Sequence, residues 1–308
     1  MNDVARTPAP IGASWSTGAW SGGLAEWVEG DTAYLSVAFT WSLQEAWTRA
    51  VWHRQAGYRV RAGGPAVFLP KMRALLADVA EVGGEHPDAL FWHNPMATIA
   101  SRGCPVGCYF CIVPKMEGKA FTELPDFPVR PVLCDNNLSA LSVEYQLHII
   151  GRYKATGVPL LDANSGFEPR TFDEDVFARW REINRGPWRF AFDDQAERPH
   201  VERVMRMLRH VSPRKKQVYV LIGNEPIASC LERLQLVRDW GGEPYAQPYM
   251  KLNALERRPH VRFDWTARRL LEVQRWINGR FWKYTDLDGY RASIRTGRRV
   301  EEPAGLFA

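Results

Sequence analysis

The chain has 308 residues, of which 45% are hydrophobic, 12% aromatic and 24% charged. This is the composition of an ordinary globular protein with enough apolar material for a core. No run approaches the roughly 18 consecutive apolar residues that a membrane helix needs, and the N-terminus MNDVARTPAP lacks the layout of a signal peptide. We therefore expect a cytoplasmic protein with no membrane partner.

The formal net charge is +5, and arginines are concentrated towards the C-terminus. They include Arg257, Arg258, Arg268, Arg269, Arg295, Arg298 and Arg299. A basic end can contact phosphates, which makes nucleic acid one candidate partner. A solvated helix face explains the same residues, and we favour that interpretation.

The first part of the chain predicts a short βαβ extension. Residues 1–30 show no clear period and are taken as an irregular lead-in. Apolar patterning then predicts the following elements: a strand over 31–41, a helix over 42–57, a strand over 57–69 and a helix over 72–84. We place this extension at residues 1–95.

From residue 97 onwards, strand and helix patterns alternate. Six buried strands are predicted, at 97–101, 129–137, 158–166, 188–194, 217–225 and 243–251, and most are followed by an amphipathic helix. This α/β pattern predicts a partial (β/α)6 barrel over residues 96–255, with its chemistry at the C-terminal strand ends. Residues 256–308, with a helix over 265–284, form a basic helical extension.

Five cysteines are present, an odd number that argues against a disulfide framework. Cys104, Cys108 and Cys111 follow the spacing Cys-x-x-x-Cys-x-x-Cys within RGCPVGCYFCIVPKMEG. Three thiolates in a short loop can hold an iron–sulfur cluster and leave one iron open. A structural zinc, with Cys134 or a histidine as fourth ligand, is the alternative; zinc sites usually need a second cysteine pair, and none is present.

This loop, with the aromatic Phe110 before its third cysteine, resembles the signature of the radical S-adenosylmethionine (SAM) superfamily. The neighbouring segments RGCP, FCIVPK and EG are similar to its cobalamin-type and methylthiotransferase branches, and the resemblance covers roughly residues 97–250. It implies a 4Fe-4S cluster whose open iron chelates SAM. It also implies a reductant such as flavodoxin or ferredoxin, and a 5′-deoxyadenosyl radical that abstracts hydrogen from a substrate.

The resemblance also suggests cofactor contacts at the strand ends. After the second strand, Asp135 or Asn136 stands where the family has a GGE-like motif for the methionine amine, although both also suit a turn or helix cap. Asn164 and Ser165 follow the third strand and are placed to reach a ligand.

The later strand ends offer further candidates. Asp193 would bind ribose, whereas Asp194 suits a helix cap. Gly223 would let the backbone approach adenine, Glu225 is a base, a ligand contact or a solvated turn residue, and Gln247 would touch adenine or substrate.

Cys134 is the candidate catalytic residue. A thiol beside the radical could donate a hydrogen atom or carry a substrate adduct, but a lone cysteine is more often a small buried hydrophobe. Cys230, which opens a predicted helix, is interpreted as structural.

Residues 1–96 lack two features that mark particular branches of the superfamily. They contain no cysteine, which excludes the second cluster of methylthiotransferases. The segment GYRVRAGGPAV resembles part of a cobalamin-binding domain, but the Asp-x-His-x-x-Gly motif is absent. We therefore expect a shortened remnant without cobalamin, while cobalamin bound without a histidine ligand stays open.

Three hypotheses follow. The leading one is a single-cluster radical SAM enzyme acting on an unidentified substrate. The second is a nucleic-acid-modifying radical SAM enzyme, and the third is a non-enzymatic zinc or iron–sulfur binding protein.

Overall fold

The computed structural model describes residues 15–296, so Arg298 and Arg299 lie outside the described part. The chain divides into two compact units. The first contains the described residues up to Gly166 together with Glu174–Gly186 and Lys251–Arg257. The second contains Phe167–Asp173, Pro187–Met250 and the described residues from Arg258 onwards.

The first unit opens with a four-stranded sheet in the order β1-β2-β3-β4. The strands are β1 (Leu24–Glu29), β2 (Thr32–Val37), β3 (Arg59–Gly63) and β4 (Glu81–Val82). β1 is antiparallel to β2, and the other pairs are parallel. Helix α1 (Leu43–Gln55) connects β2 to β3. Ala33, Leu35 and Val37 pack with Leu43 and Ala46 in a buried core.

Two N-terminal predictions are wrong. The irregular lead-in contains β1, in which Ala25 and Trp27 are buried in alternation. The helix expected over 72–84 is reduced to α2 (Pro70–Arg73), followed by turns and by β4. Met72, Leu76 and Val79 are buried at helical spacing, so the turns satisfy the same apolar pattern that predicted the helix.

The rest of the first unit carries short elements. They are α3 (Ala89–His93), β5 (Ala97–Thr98), β6 (Ser101–Arg102), α4 (Val113–Met116), β7 (Thr122–Glu123), β8 (Val132–Leu133), α5 (Val143–Thr156), β9 (Asp162–Ala163) and α6 (Glu174–Trp180). β5, β8 and β9 form a parallel sheet, and β6 pairs with β7 in an antiparallel hairpin. Ser142 caps α5 by accepting the Tyr145 N–H at 3.1 Å.

The second unit is a βαβαβ unit with additional helices. Its elements are β10 (Trp188–Ala191), α7 (Arg198–Met207), β11 (Lys216–Ile222), α8 (Ile227–Asp239), β12 (Glu243–Pro248), α9 (Ala267–Asn278) and α10 (Leu287–Thr296). The three strands are parallel in the order β10-β11-β12. The helix expected over 265–284 ends at Asn278, because Arg280 adopts a left-handed conformation with φ 58°.

The predicted α/β class is confirmed. Within residues 15–296 the sheets are small and do not close into a barrel. The boundary expected after residue 95 falls inside the first unit. Among the described helices, none combines the length and apolarity required to cross a membrane.

Candidate metal centre

The cysteine loop, residues 103–118, is carried by the β6–β7 hairpin of the first unit. The register pairs Ser101 with Glu123 and Arg102 with Thr122, and the Cys104 N–H donates to the Gly118 carbonyl at 3.2 Å. The two ends of the loop are therefore held together by main-chain hydrogen bonds. The three loop cysteines form no disulfide and are half-buried.

Gly103 makes the entry to the loop possible. Its φ is +89°, and a Cβ at this position would lie 2.2 Å from the Ala120 carbonyl oxygen. Gly118 at the exit has the same φ of +89° but open space around it. Of these two glycines, only Gly103 combines a backbone conformation and a close approach that together demand glycine.

Glu117 ties the base of the loop together and was not identified from the sequence. Its Oε2 accepts the Gly103 N–H at 2.9 Å and the Asn136 amide at 2.7 Å, and its Oε1 accepts from Arg102 at 3.0 Å. Arg102 also donates to Glu85 at 2.6 Å. Burial lowers the pKa of Arg102, but Glu85 and Glu117 raise it above its usual value overall. We call Glu85, Arg102, Glu117 and Asn136 the loop-base cluster.

Within residues 15–296, one group of three ligand-type side chains has all its donor atoms within 4.8 Å of one another, namely Glu29, His86 and Asp88.

The chemistry of the three loop thiols fits an iron–sulfur cluster. Three thiols are available, and the Asn137 amide donates to the Cys104 sulfur at 3.9 Å. Hydrogen bonds to ligating sulfur stabilise thiolate charge and tune cluster potential. Phe110 is half-buried beside exposed Tyr109, with ring centroids 5.1 Å apart.

The trio of Glu29, His86 and Asp88 is a poor metal site. The Asp88 N–H donates to Nδ1 of His86 at 3.2 Å, so a neutral ring carries its proton on Nε2. That nitrogen lies 3.6 Å from Glu29 and cannot bind a cation while it is protonated. His86 instead packs edge-on against Trp27 and Tyr34.

Asp135 supports the strand that leads into the loop. Its side chain is fully buried, Oδ2 accepts the Ala100 N–H at 2.9 Å, and Oδ1 accepts the Ser101 hydroxyl at 2.5 Å. Burial raises its pKa to about 6. Both carboxylate oxygens of Asp135 are therefore bonded within the protein. Asn136 is half-buried, with its amide committed to Glu117 and to the Gly103 carbonyl.

Cys134 lies next to Asp135, and its backbone N–H donates to the Thr98 carbonyl at 2.8 Å. Burial raises the pKa of its thiol to about 12, with further contributions from Asp135 and Asp162. A thiol that stays protonated is a poor nucleophile, because attack needs the thiolate. This environment disfavours a substrate adduct and agrees both with hydrogen-atom donation and with a buried structural cysteine.

Asn164 and Ser165 follow β9 at the same sheet edge as Cys134. Leu133 and Ala163 are register partners in parallel strands, so Cys134 and Asn164 occupy equivalent positions just beyond them. The Asn164 N–H donates to the Leu133 carbonyl at 2.9 Å. Asn164 is half-buried and Ser165 is exposed, so the chain leaves both near the strand end that was expected to bind a ligand.

Asp193 lies in the second unit, after β10. Its Oδ1 accepts the Leu221 N–H at 3.2 Å, and its own N–H donates to Glu197 at 2.7 Å. Burial raises its pKa to about 7, with a contribution from Glu197 and an opposing one from Arg233. Asp194 caps the next turn by accepting the Ala196 N–H at 2.8 Å, as its alternative interpretation predicted.

Gly223 and Gln247 lie on the neighbouring strands of the second unit. Gly223 has φ +88°, and a Cβ there would lie 3.0 Å from the Leu270 side chain, so α9 fills the space beside it. Gln247 is exposed on β12 opposite Leu221. Glu225 forms an ion pair at 2.9 Å with fully buried Arg233, and it is therefore a structural partner rather than a free base.

Part of the positive charge in the described C-terminal region is held in ion pairs with carboxylates. Arg268 and Arg291 pair with Glu272, and Arg280 and Lys283 pair with Glu243. Both glutamates are buried.

Comparison of the sequence with known protein families and with curated proteins finds no match.

Proposed function

We propose that this chain is a radical SAM enzyme that binds one 4Fe-4S cluster through Cys104, Cys108 and Cys111. The observation that carries the proposal is the Cys-x-x-x-Cys-x-x-Cys loop held closed by the β6–β7 hairpin directly after strand β5. Three ligating thiolates leave one iron for SAM. Each unit carries a three-stranded parallel sheet, which agrees in class with the partial (β/α)6 barrel that we propose as the framework.

The proposed chemistry starts with one electron. Cys104, Cys108 and Cys111 would hold a 4Fe-4S cluster that, with an electron from a flavodoxin or ferredoxin, would supply the one-electron chemistry that cleaves SAM to methionine and a 5′-deoxyadenosyl radical, and this radical would take a hydrogen atom from the substrate. The chain's own contribution is at the ligating sulfur, where the Asn137 amide donates a hydrogen bond to Cys104.

The remaining candidate contacts are not equally well supported. Asn164 and Ser165 stay candidates for SAM or substrate because they lie at the edge beside Cys134. Asp193, with its pKa raised to about 7, can donate as well as accept a hydrogen bond near neutral pH, which suits a ribose hydroxyl. Gln247 is accessible on β12. Gly223 is weakened as an adenine contact because Leu270 occupies the space beside it.

The test is anaerobic reconstitution with iron and sulfide, followed by dithionite reduction with SAM. We expect the wild type to gain a thiolate-to-iron absorption band and to release 5′-deoxyadenosine. Cys108→Ala should lose both, because the cluster loses one of its three ligands. Cys134→Ala is the matched control and should keep the cluster and the cleavage of SAM.

Two outcomes would contradict the proposal. One is uptake of zinc in place of iron and sulfide by the wild type. The other is a complete cluster that never cleaves SAM. A loss of metal in Cys134→Ala equal to that in Cys108→Ala would point to the zinc alternative, with Cys134 as fourth ligand.

A further inference from the structure

Glu117 is the residue on which the two ends of the cysteine loop converge. It accepts from Gly103 at the start of the loop and from Arg102 just before it, while its own position is at the loop's end. Its side chain is only 11% exposed. A half-buried carboxylate with three donors is held in one place, since each charge-assisted hydrogen bond is stronger than a neutral one.

The same carboxylate connects the loop to the neighbouring strand end. Asn136, which follows β8, donates to Glu117 at 2.7 Å and to the Gly103 carbonyl at 3.3 Å. The next residue, Asn137, donates to the Cys104 sulfur. The position of Cys104 therefore depends on Glu117 from two sides, through Gly103 in its own chain segment and through Asn136 and Asn137 across from it.

Arg102 balances the charge of this arrangement. It lies between Glu117 and Glu85, at 3.0 and 2.6 Å. A carboxylate near an anionic thiolate-ligated cluster would oppose reduction, since reduction adds negative charge. The guanidinium offsets that effect while Glu117 keeps its structural contacts.

We infer that Glu117 is a positioning residue that holds the cysteine loop closed and orients the Cys104 sulfur for its metal group. The inference rests on the proposed function for the nature of that group, but not for the closure of the loop. Glu117 touches no reacting atom in this scheme and acts through Gly103, Asn136 and Arg102.

The test compares three variants with the wild type. Glu117→Gln keeps size but turns an NH₂ towards donors that need an acceptor. Glu123→Gln changes an exposed glutamate on β7 of the same hairpin and serves as the matched control. The double variant Glu117→Gln with Asn136→Asp exchanges amide and carboxylate, so that position 117 can donate to position 136, while the weaker bond from Asn136 to the Gly103 carbonyl is lost.

The first readout uses metal-free protein. Alkylation of each cysteine is followed by mass spectrometry, with Cys230 as the internal reference for intact fold. We expect Cys104 to react several-fold faster in Glu117→Gln than in wild type or Glu123→Gln, and the double variant to return towards the wild-type rate. Equal Cys104 rates in Glu117→Gln and Glu123→Gln would overturn the inference, whereas faster Cys230 labelling would show that the variant had unfolded. If Glu117→Gln unfolds, the double variant is compared with the wild type instead. Failure of the double variant to restore both the fold and the protection of Cys104 would overturn the positioning role of Glu117.

The second readout uses reconstituted protein. Glu117→Gln should lose iron to a chelator several-fold faster than Glu123→Gln, and its cluster potential should move to a more positive value because a negative charge is removed. An unchanged potential and chelator rate would contradict the inference. A wild type that takes up no cluster would refute the proposed function instead, while the alkylation result would still decide the role of Glu117.

Discussion

Buried carboxyl groups give this protein a pH dependence that can be measured at single residues. Burial raises the pKa of Asp193 from an ordinary value of 3.8 to about 7. Between these pH values the folded chain holds a proton that the unfolded chain has released, so the free energy of unfolding falls as pH rises through this window. Asp135, with a pKa of about 6, acts in the same direction.

Asp193→Asn should flatten this dependence. The amide oxygen can still accept the Leu221 N–H, and no charge has to be buried at high pH. Because the Asp193 side chain is half-exposed, we expect a gain of only about 1–2 kcal/mol at pH 8 and little change at pH 4. Urea unfolding at both pH values measures it, and an equal gain at both would contradict the assignment.

The residues of the candidate site were only partly predictable from the sequence. The cysteine spacing needs no tertiary information, because all three thiols lie in one short segment. Glu117 could not be identified, since its partners Gly103 and Asn136 meet it only after the hairpin and β8 have formed. Asp135 was expected to face a cofactor, but parallel pairing of β5 with β8 directs its carboxylate onto the Ala100 N–H and the Ser101 hydroxyl.

At the scale of elements, the entry to the cysteine loop offers a matched pair of glycines. Gly103→Ala places a Cβ against the Ala120 carbonyl, whereas Gly118→Ala meets nothing within 4 Å at the same φ. We expect Gly118→Ala to lower the free energy of unfolding by about 1 kcal/mol through backbone strain alone. Gly103→Ala should cost roughly 2 kcal/mol more, since the steric conflict is added.

The pair is measured by urea unfolding together with cluster content after reconstitution. Gly103→Ala should also lose iron, because the Cys104 backbone follows directly. Equal losses in the two variants would show that the hairpin yields to the added methyl group and that the close approach is unimportant.

Helices and strands were predicted correctly where the apolar periodicity extended over a long segment, and were predicted wrongly where the segment was short. Helix α1 was found close to its predicted range. Strand β1 was missed although Gly30 and Asp31 form a two-residue turn between register partners Glu29 and Thr32, a recognisable hairpin signal. In the 72–84 segment the apolar spacing alone could not distinguish a helix from successive turns.

At the scale of the whole molecule, the alternation of strand and helix patterns correctly predicted the α/β class. It did not predict the division into two units, because Phe167–Asp173 groups with the second and Glu174–Gly186 with the first. Such an interleaved division depends on long-range packing. Local periodicity carries no information about it.

The net charge of +5 invites a test of nucleic-acid binding by the whole chain. We expect weak binding at low salt that disappears at physiological salt, because Glu243 and Glu272 hold four of the basic side chains in ion pairs and offset two of their charges. Fluorescence anisotropy with labelled RNA and DNA measures it. Tight binding that persists at physiological salt and weakens steeply above it would instead favour the nucleic-acid-modifying alternative.

The β6–β7 hairpin has a consequence for how metal is acquired. Closing a flexible segment around an ion lowers the conformational entropy of the chain. In this protein the pairing of Arg102 with Thr122 already closes the loop in the folded chain, before any ion binds. If the loop holds the proposed cluster, its thiols act as a preformed chelate whose combined affinity depends on a ladder only two residues long. Opening the ladder would free all three ligands at once, so metal release is expected to be all-or-none rather than stepwise.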